Sequence, residues 1–99
     1  MDDQIKQAIS NEKPTLLIFS TIWCGPCKQL KPIINELQNE MPNISFCIFD
    51  ISNDMSIGAK FKISGVPYMI LFKSGKELGR LLGYNHKHKI VDFITKSLL

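Results

Sequence analysis

The features that this sequence lacks set its broad class. No apolar stretch approaches the roughly 20 residues that a membrane-spanning helix needs, and no repeat or low-complexity tract interrupts the 99 residues. The net charge is only +3, and the basic residues are scattered without interleaved aromatics, which argues against a nucleic-acid groove. Residues 1–6 lack the basic and apolar segments of a secretory leader. We therefore predict one domain, residues 1–99, in the cytoplasm, with no membrane or nucleic-acid partner.

Cysteine is also scarce, with three residues in the chain. In a reducing compartment, such cysteines are more often catalytic, metal-binding or buried than structurally bridged. Cys47 lies in an apolar segment and is predicted to be a small core residue. The basic segment His86–Lys89 is predicted to be a solvated turn. Its distance from Cys24 and Cys27 breaks the usual spacing of zinc ligands, so no metal is expected.

Cys24 and Cys27 have the spacing of a reversible dithiol–disulfide centre. Side chains at positions i and i+3 of a helix are neighbours, close enough here for a disulfide to form. Pro26 suits a first helical turn, where its missing N–H costs nothing, and Gly25 leaves room for another chain to approach the sulfurs. The positive end of the helix dipole stabilises a thiolate, which is the nucleophile in disulfide exchange.

Hydrophobic periodicity predicts helices and strands in the order α-β-α-β-α-β-β-α, and Pro32 is expected to kink the second helix. A strand–helix–strand order implies a right-handed parallel crossover, and Ser74-Gly75 predicts a tight hairpin between the last two strands. The fold class is therefore α/β with a central mixed sheet. The predicted elements are a helix over 2–10, a strand over 15–20, a helix over 24–41, a strand over 44–50, a helix from a cap at 52–54 to residue 61, strands over 68–72 and 77–82, and a helix through 90–98.

Over nearly its whole length the chain resembles the thioredoxin family. The matching residues are the motif Trp23–Lys28 at a strand-to-helix junction, Pro32, the segment Gly65–Pro67, the Ser74-Gly75 turn and Gly83. The resemblance implies the thioredoxin fold. Because the chain begins at the first helix, the usual N-terminal edge strand is expected to be absent. The sheet would then have four strands flanked by four helices, with the strand over 44–49 at an edge where a weak dimer of an otherwise monomeric protein could form.

The resemblance also implies a mechanism of protein-disulfide reduction. Cys24, expected to be the more exposed cysteine, would attack a disulfide of a partner protein, and the more buried Cys27 would resolve the mixed disulfide. No bound cofactor is implied, and an external thioredoxin reductase would supply the reducing equivalents. Pro67 is expected to follow a cis peptide bond. The supporting residues implied for the active site are Trp23, Gly25, Pro26, Lys28 and Pro67, and those for substrate docking are Trp23, Val66, Pro67 and Gly83.

Three departures from the family pattern bear on this mechanism. Ile18 stands where thioredoxins usually carry a buried Asp that takes the proton of the second cysteine, and Ile48 replaces the Lys that accompanies it. The double change predicts an apolar wall against Cys27 and slow resolution, since a positioned base typically contributes ~100- to 10,000-fold. Tyr68 replaces the small hydroxyl residue usual after the cis-proline, which leaves the range of partners open.

Three functions fit these features. The first is a general protein-disulfide reductase recycled by thioredoxin reductase. The second is a partner-specific oxidoreductase or redox switch, which Ile18 and Tyr68 favour. The third is a non-enzymatic interaction module that retains the fold, and the intact Cys24–Cys27 pair argues against it.

Overall fold

The computed structural model describes residues 3–99 and has the predicted order of elements. Asp2, the predicted start of the first helix, lies outside these residues. Within them, no helix is both long and apolar enough to cross a membrane. The helices are α1 (Asp3–Ser10), α2 (Gly25–Glu40), α3 (Ser56–Lys60) and α4 (Lys87–Leu98), and the strands are β1 (Thr15–Ser20), β2 (Ser45–Asp50), β3 (Tyr68–Lys73) and β4 (Lys76–Leu82).

The four strands form one mixed sheet in the order β2-β1-β3-β4, which confirms the predicted four-stranded arrangement with β2 at an edge. β1 and β2 are parallel and joined by α2, whereas β1–β3 and β3–β4 are antiparallel. The hairpin turns at Ser74 and Gly75, with φ of 53° and 81°. Positive φ at both central residues is the signature of a type I′ turn, which glycine adopts without a steric penalty.

The two faces of the sheet carry separate apolar clusters because successive side chains of a strand point to opposite sides. On one face, Leu16 and Ile18 of β1 pack with residues of α2 and α4 such as Leu30 and Ile90. On the other face, Leu17 and Phe19 pack with residues of α1 and α3. All six residues of β1 are buried, which explains the four consecutive apolar residues at its centre. The chain therefore leaves the centre of the core at the end of β1 and enters α2 shortly afterwards.

α4 is held against the rest of the molecule at both of its ends. Near its C-terminus it packs so closely on β4 that a Cβ atom at Gly79 would lie 2.6 Å from Ser97 Oγ. At its first residue, Lys87 forms ion pairs with Glu36 and Glu40 of α2. The prediction that His86–Lys89 is a solvated turn is wrong for Lys87, His88 and Lys89, which form the first turn of α4, whereas His86 is its N-cap residue. Lys87 is also drawn into an interhelical contact by the two carboxylates.

α3 is shorter than predicted and begins later. Ser52 does not cap it; instead its N–H donates to Asp50 Oδ1, and Asp54 N–H donates to Ile51 O, so the chain turns before the helix starts. Asp54 Oδ1 accepts the N–H of Ser56, the first helical residue. These local side-chain bonds compete with helical backbone bonds, and that competition moves the boundary.

Candidate active site around Cys24 and Cys27

The two cysteines lie at the first turn of α2, directly after β1. Cys24 is the N-cap residue with extended backbone angles (φ −93°, ψ 109°), and its Sγ accepts the N–H of Cys27 at 3.1 Å. Pro26 occupies the first turn, where no backbone hydrogen bond is lost. Cys24 and Cys27 form a disulfide with their Cα atoms 5.3 Å apart, within the usual range. The spacing read from the sequence therefore produces a disulfide without displacing the helix.

The expected difference in exposure between the cysteines is slight. Cys24 is 7% exposed and Cys27 5%. Cys24 is nearly as buried as Cys27 because its sulfur turns back toward the first turn of the helix to accept the Cys27 N–H. Exposure alone does not assign their roles.

Two of the residues expected to dock substrate line one cleft, and the other two are joined by a hydrogen bond. Trp23 is 67% exposed, and with the half-buried Val66 it lines an open cleft of about 390 Å³. The Val66–Pro67 peptide bond is cis, as predicted. Gly83 adopts φ +86°, a region that favours glycine, and its N–H donates to Pro67 O at 2.8 Å. The structure thus brings Trp23 and Val66 to one cleft and links Gly83 to the same loop through Pro67.

The remaining active-site residues take simpler positions. Gly25 is exposed, and a Cβ atom built on it would meet nothing within 4 Å. This geometry is consistent with the prediction that Gly25 leaves room for another chain beside the sulfurs. Lys28 lies one residue past the disulfide and donates its backbone N–H to Cys24 O at 3.4 Å. Its side chain borders a second cleft on the other side of the motif.

This second cleft, which we call the Cys27 cleft, has a volume of about 510 Å³. It is lined by Ser20, Thr21, Ile22, Cys27, Lys28, Lys31, Ile48 and Asp50. Polar and charged residues therefore line the same opening as Cys27. Sequence reasoning did not identify this cleft, because it is formed by the ends of β1 and β2 together with one side of α2.

The predicted apolar wall against Cys27 is only half correct. Ile18 is 1% exposed and belongs to the core, as expected. Ile48, its sheet partner, is 39% exposed. It remains accessible because it lies on the edge strand and borders the Cys27 cleft. Of the two isoleucines, only the accessible Ile48 shares a cleft with Cys27.

A short hydrogen-bond chain holds the loop that precedes the motif. Ile22 N–H donates to Ser52 Oγ at 2.9 Å, and the Ser52 hydroxyl donates to Asp50 Oδ1 at 2.5 Å. The hydroxyl and backbone N–H of Ser52 lower the pKa of Asp50, so this carboxylate stays ionised. Sequence reasoning missed this chain. The Asp-Ile-Ser sequence at the end of a strand, a common pattern for a local side-chain turn, could have signalled it.

Tyr68, the unusual residue after the cis-proline, is half-buried and lies beneath a charged group. The Arg80 guanidinium is 5.7 Å from the centre of its ring, a cation–π distance. Two hydrogen bonds of 2.6 and 2.9 Å join Arg80 to Glu77 and hold the guanidinium in place. They also lower the pKa of Glu77. Tyr68 is thus part of a fixed surface on β3 and β4 next to Pro67.

Cys47 is separate from the redox pair. It is half-buried on β2, packs against the apolar cluster on the α1 face, and its pKa is raised by burial. The prediction of a core residue is correct in its neighbours but overstates its burial, because β2 is an edge strand. Over residues 3–99, no three His, Cys, Asp or Glu side chains gather into a group that could hold a metal ion.

Comparison with known proteins agrees with this geometry. The thioredoxin family model matches residues 1–96. The chain is 36% identical over 81 residues to thioredoxin of Chlamydia trachomatis, covering 82% of this chain and 79% of that protein. It is 32% identical over 94 residues to thioredoxin of Rickettsia felis, covering 94% and 90%. The crystal structure of thioredoxin from Trypanosoma brucei brucei superposes with a TM-score of 0.83 at 30% identity, covering 96% of this chain and 87% of that one. With a disulfide at Cys24–Cys27 on this fold, the chain belongs to the thioredoxin family and is a thiol–disulfide oxidoreductase that reduces protein disulfides.

Proposed function

We propose that Cys24 is the nucleophile of this reaction and Cys27 the resolving thiol. The observation that carries the assignment is the N-cap position of Cys24, whose sulfur points at the N–H of Cys27 at the positive end of α2. That position stabilises a thiolate at Cys24. The Cys24 thiolate attacks a substrate disulfide, forms a mixed disulfide and releases one substrate thiolate. Cys27 then attacks Cys24 and releases the second thiolate, so the substrate gains two electrons and the Cys24–Cys27 pair loses them.

The docking surface in this proposal comprises Trp23, Val66, Pro67 and Gly83. Its support is the exposure of the Trp23 ring, the cleft it shares with Val66, and the Gly83–Pro67 hydrogen bond that holds the far side of the site. An extended substrate segment would pair with the Val66 backbone as an added strand does. Gly25 and Pro26 have small side chains that leave the sulfurs open to an approaching substrate. Lys28 adds a positive charge next to the motif.

The setting of the reaction forms the second part of the proposal. No bound cofactor is required, because disulfide exchange moves electrons directly between sulfurs. An external thioredoxin reductase would return the Cys24–Cys27 pair to the dithiol. The cytoplasm, where thiols are kept reduced, is the compartment that suits such a cycle. We further propose that residues 1–99 act as one domain, which the two apolar clusters on a single sheet support.

Reduction of insulin tests the function and the roles together. With a thioredoxin reductase and NADPH, the natural sequence is expected to turn over, and Cys24→Ser is expected to abolish turnover. Cys27→Ser should accumulate a mixed disulfide with the substrate, visible on a non-reducing gel, because the resolving step is lost. Cys47→Ser is the matched control and should behave as the natural sequence does. Trapping by Cys24→Ser rather than by Cys27→Ser would reverse the assignment.

A narrower role as a partner-specific oxidoreductase or redox switch is the second candidate. Its support is the buried Ile18 at the place of the family's usual acid, together with Tyr68, which Arg80 covers beside the docking surface. In the same insulin assay, activity with dithiothreitol but none with thioredoxin reductase would favour this role. Turnover with the reductase would favour the general one.

We also propose that the chain is a monomer that associates weakly through β2. In the sheet formed by residues 3–99, β2 is an edge strand, and the exposed Ile48 lies at its centre. An uncovered edge presents backbone groups that can pair with a second strand. Sedimentation over a wide concentration range should show mass rising at the highest concentrations. A mass that stays at one chain throughout removes the dimer from the proposal.

A further inference from the structure

The segment 62–68, which we call the docking loop, carries Val66 and Pro67 of the proposed docking surface. Within residues 3–99, no hydrogen bond reaches residues 64–66 at the middle of this loop. The same three residues line the open cleft beside Trp23. Unpaired backbone groups are free to pair with a substrate segment, but the position of the loop then depends on the contacts that hold its two ends.

Arg80 of β4 contacts both ends of the docking loop. Its Nη1 donates to the backbone oxygen of Lys62 at 3.3 Å, and its guanidinium lies over the ring of Tyr68, 5.7 Å from the ring centre. One side chain therefore bridges the first and the last residue of the loop. Arginine suits this task because its planar fork presents several N–H donors in a fixed geometry together with a face that stacks on aromatic rings.

Glu77 fixes the guanidinium in this position. Its carboxylate accepts the Nε and Nη2 hydrogens of Arg80 at 2.6 and 2.9 Å, which is a bidentate pair. A pair as exposed as this one contributes little to stability, since the two side chains are 28% and 39% accessible. Its effect is instead geometric, because with Nε and Nη2 held by Glu77 the remaining Nη1 is the nitrogen that reaches Lys62.

Lys62 is a bend that benefits from such a contact. Its φ of 57° lies in the left-handed region, which residues other than glycine seldom adopt. Directly after it, the N–H of Ile63 donates to Gly58 O at 2.8 Å, so the chain leaves α3 and turns toward the cleft. The bond from Arg80 to the carbonyl of Lys62 is a further restraint on this turn.

The end of β4 follows the docking loop toward the active site. A Cβ atom built on Gly65 would lie 3.7 Å from Leu82 Cδ1, and the N–H of Gly83 donates to Pro67 O at 2.8 Å. Arg80, Leu82 and Gly83 therefore meet the loop at its ends, its middle and its cis-proline. Loss of the contacts at Arg80 would leave both ends of the loop less restrained.

We propose that Arg80 is a positioning residue for substrate binding. Its guanidinium, fixed by Glu77, joins the two ends of the docking loop and holds the loop in the shape that receives an extended segment of a disulfide-containing protein. The inference rests on the proposed docking role of Val66 and Pro67. Arg80 acts through the loop rather than by touching the substrate, so its loss weakens substrate binding and leaves disulfide exchange at Cys24 at its former rate.

Single-turnover reduction of insulin separates binding from exchange. Each protein is reduced, freed of reductant, mixed with insulin at a series of concentrations and quenched with acid; its remaining thiols are then alkylated, and its oxidised fraction is read by mass. The rates give a half-saturating insulin concentration and a limiting rate. Arg80→Met removes the guanidinium and keeps a long apolar stem. Arg80→Lys keeps the charge, but its single nitrogen cannot hold Glu77 at two points and Lys62 O at the same time.

In Arg80→Met the half-saturating insulin concentration is expected to rise roughly three- to tenfold, the range that one hydrogen bond accounts for, while the limiting rate stays the same. Arg80→Lys should show most of this rise, because charge alone does not restore the fork. Lys87→Met is the matched control. It also removes a partly exposed cation from an ion pair, but its partners lie on α2 rather than on the docking loop, so its half-saturating concentration should equal that of the parent protein.

An unchanged half-saturating concentration in Arg80→Met overturns the inference, and so does a fall in the limiting rate alone. Full rescue by Arg80→Lys, or an equal rise in Lys87→Met, would assign the effect to net charge and overturn it as well. If Arg80→Met does not fold, Glu77→Gln, which releases the guanidinium, gives the same test. If the parent protein shows no saturation with insulin, the proposed docking surface fails and the inference fails with it; a parent that saturates and variants that match it reject the inference alone.

Discussion

Replacing Ile18 by aspartate tests how much a charge in the core destabilises the folded protein. Ile18 is 1% exposed, and its sheet neighbours Ile48 and Met69 carry no charge. Ile18→Asp therefore places a carboxylate among hydrocarbon side chains at the position where the family usually has one. Ile18→Asn is the matched control, because asparagine has nearly the same shape and polarity but does not titrate.

The magnitude follows in two parts. Removing the isoleucine side chain from a packed core costs about 2–5 kcal/mol, and both variants lose this amount. Burial can raise the pKa of the new carboxyl by up to 3–5 units from its ordinary value of about 3.9, so a rise of about 3 units places it near pH 7. Each unit corresponds to 1.36 kcal/mol, which gives about 4 kcal/mol of further destabilisation for Ile18→Asp. Since the folded-state pKa is raised, this extra loss is absent below about pH 4 and grows until the pH reaches the folded-state pKa.

Urea unfolding measured from about pH 4 to about pH 8 gives the result directly. The stability difference between Ile18→Asp and Ile18→Asn should open steadily with pH. Two parallel curves would refute the reasoning, because they would mean that the site is wet enough to accept a charge. At the highest pH at which both variants are folded, the step in which Cys27 resolves the mixed disulfide should be faster for Ile18→Asp than for Ile18→Asn. Equal rates would sink the idea that a missing carboxylate limits Cys27.

Three further substitutions have outcomes that the structure determines. Gly79→Ala should lose roughly 1–3 kcal/mol in urea unfolding, because its Cβ would lie 2.6 Å from Ser97 Oγ and 3.0 Å from a ring carbon of Phe93, so that both side chains of α4 would have to shift. Gly58→Ala should instead gain roughly 0.5–1 kcal/mol, since Gly58 is helical and its Cβ would meet only an ordinary contact at 3.6 Å; a loss would contradict the α3 geometry. Ser52→Ala removes the acceptor for the Ile22 N–H and should cost about 1 kcal/mol with slower insulin reduction, whereas unchanged kinetics would show that this bond does not order the loop.

The elements of the fold could be predicted well where local pattern and burial coincide. The apolar run of β1 is visible in sequence because both faces of that strand are covered. Ser74-Gly75 marks the β3–β4 hairpin through backbone geometry alone. The start of α3 was mispredicted because Ser52 and Asp54 can cap a helix or close a turn. The position of Asp50, two residues earlier, decides that the N–H and hydroxyl of Ser52 donate to the preceding strand end rather than cap α3.

The site could be predicted to the extent that it is contiguous in sequence. Cys24 and Cys27 form the disulfide that their spacing indicates, and Pro67 follows a cis bond. The exposure of Ile48 and the Cys27 cleft depend on how the ends of β1 and β2 meet α2, which no local pattern encodes.

The surroundings of Cys27 act in opposite directions on its thiolate. The core that contains Ile18 disfavours charge, because hydrocarbon cannot replace the water that a thiolate loses. The Cys27 cleft favours it, since solvent can enter and Lys28 and Lys31 bring positive charge to its wall. At an effective dielectric constant of about 20, a unit charge 4 Å away is worth about 4 kcal/mol and falls toward 1 kcal/mol in bulk water. Salt screens charges at a solvated wall strongly but barely affects a buried hydrocarbon contact. A resolving rate that falls with ionic strength would therefore show that the cleft, rather than the core, governs the proton of Cys27.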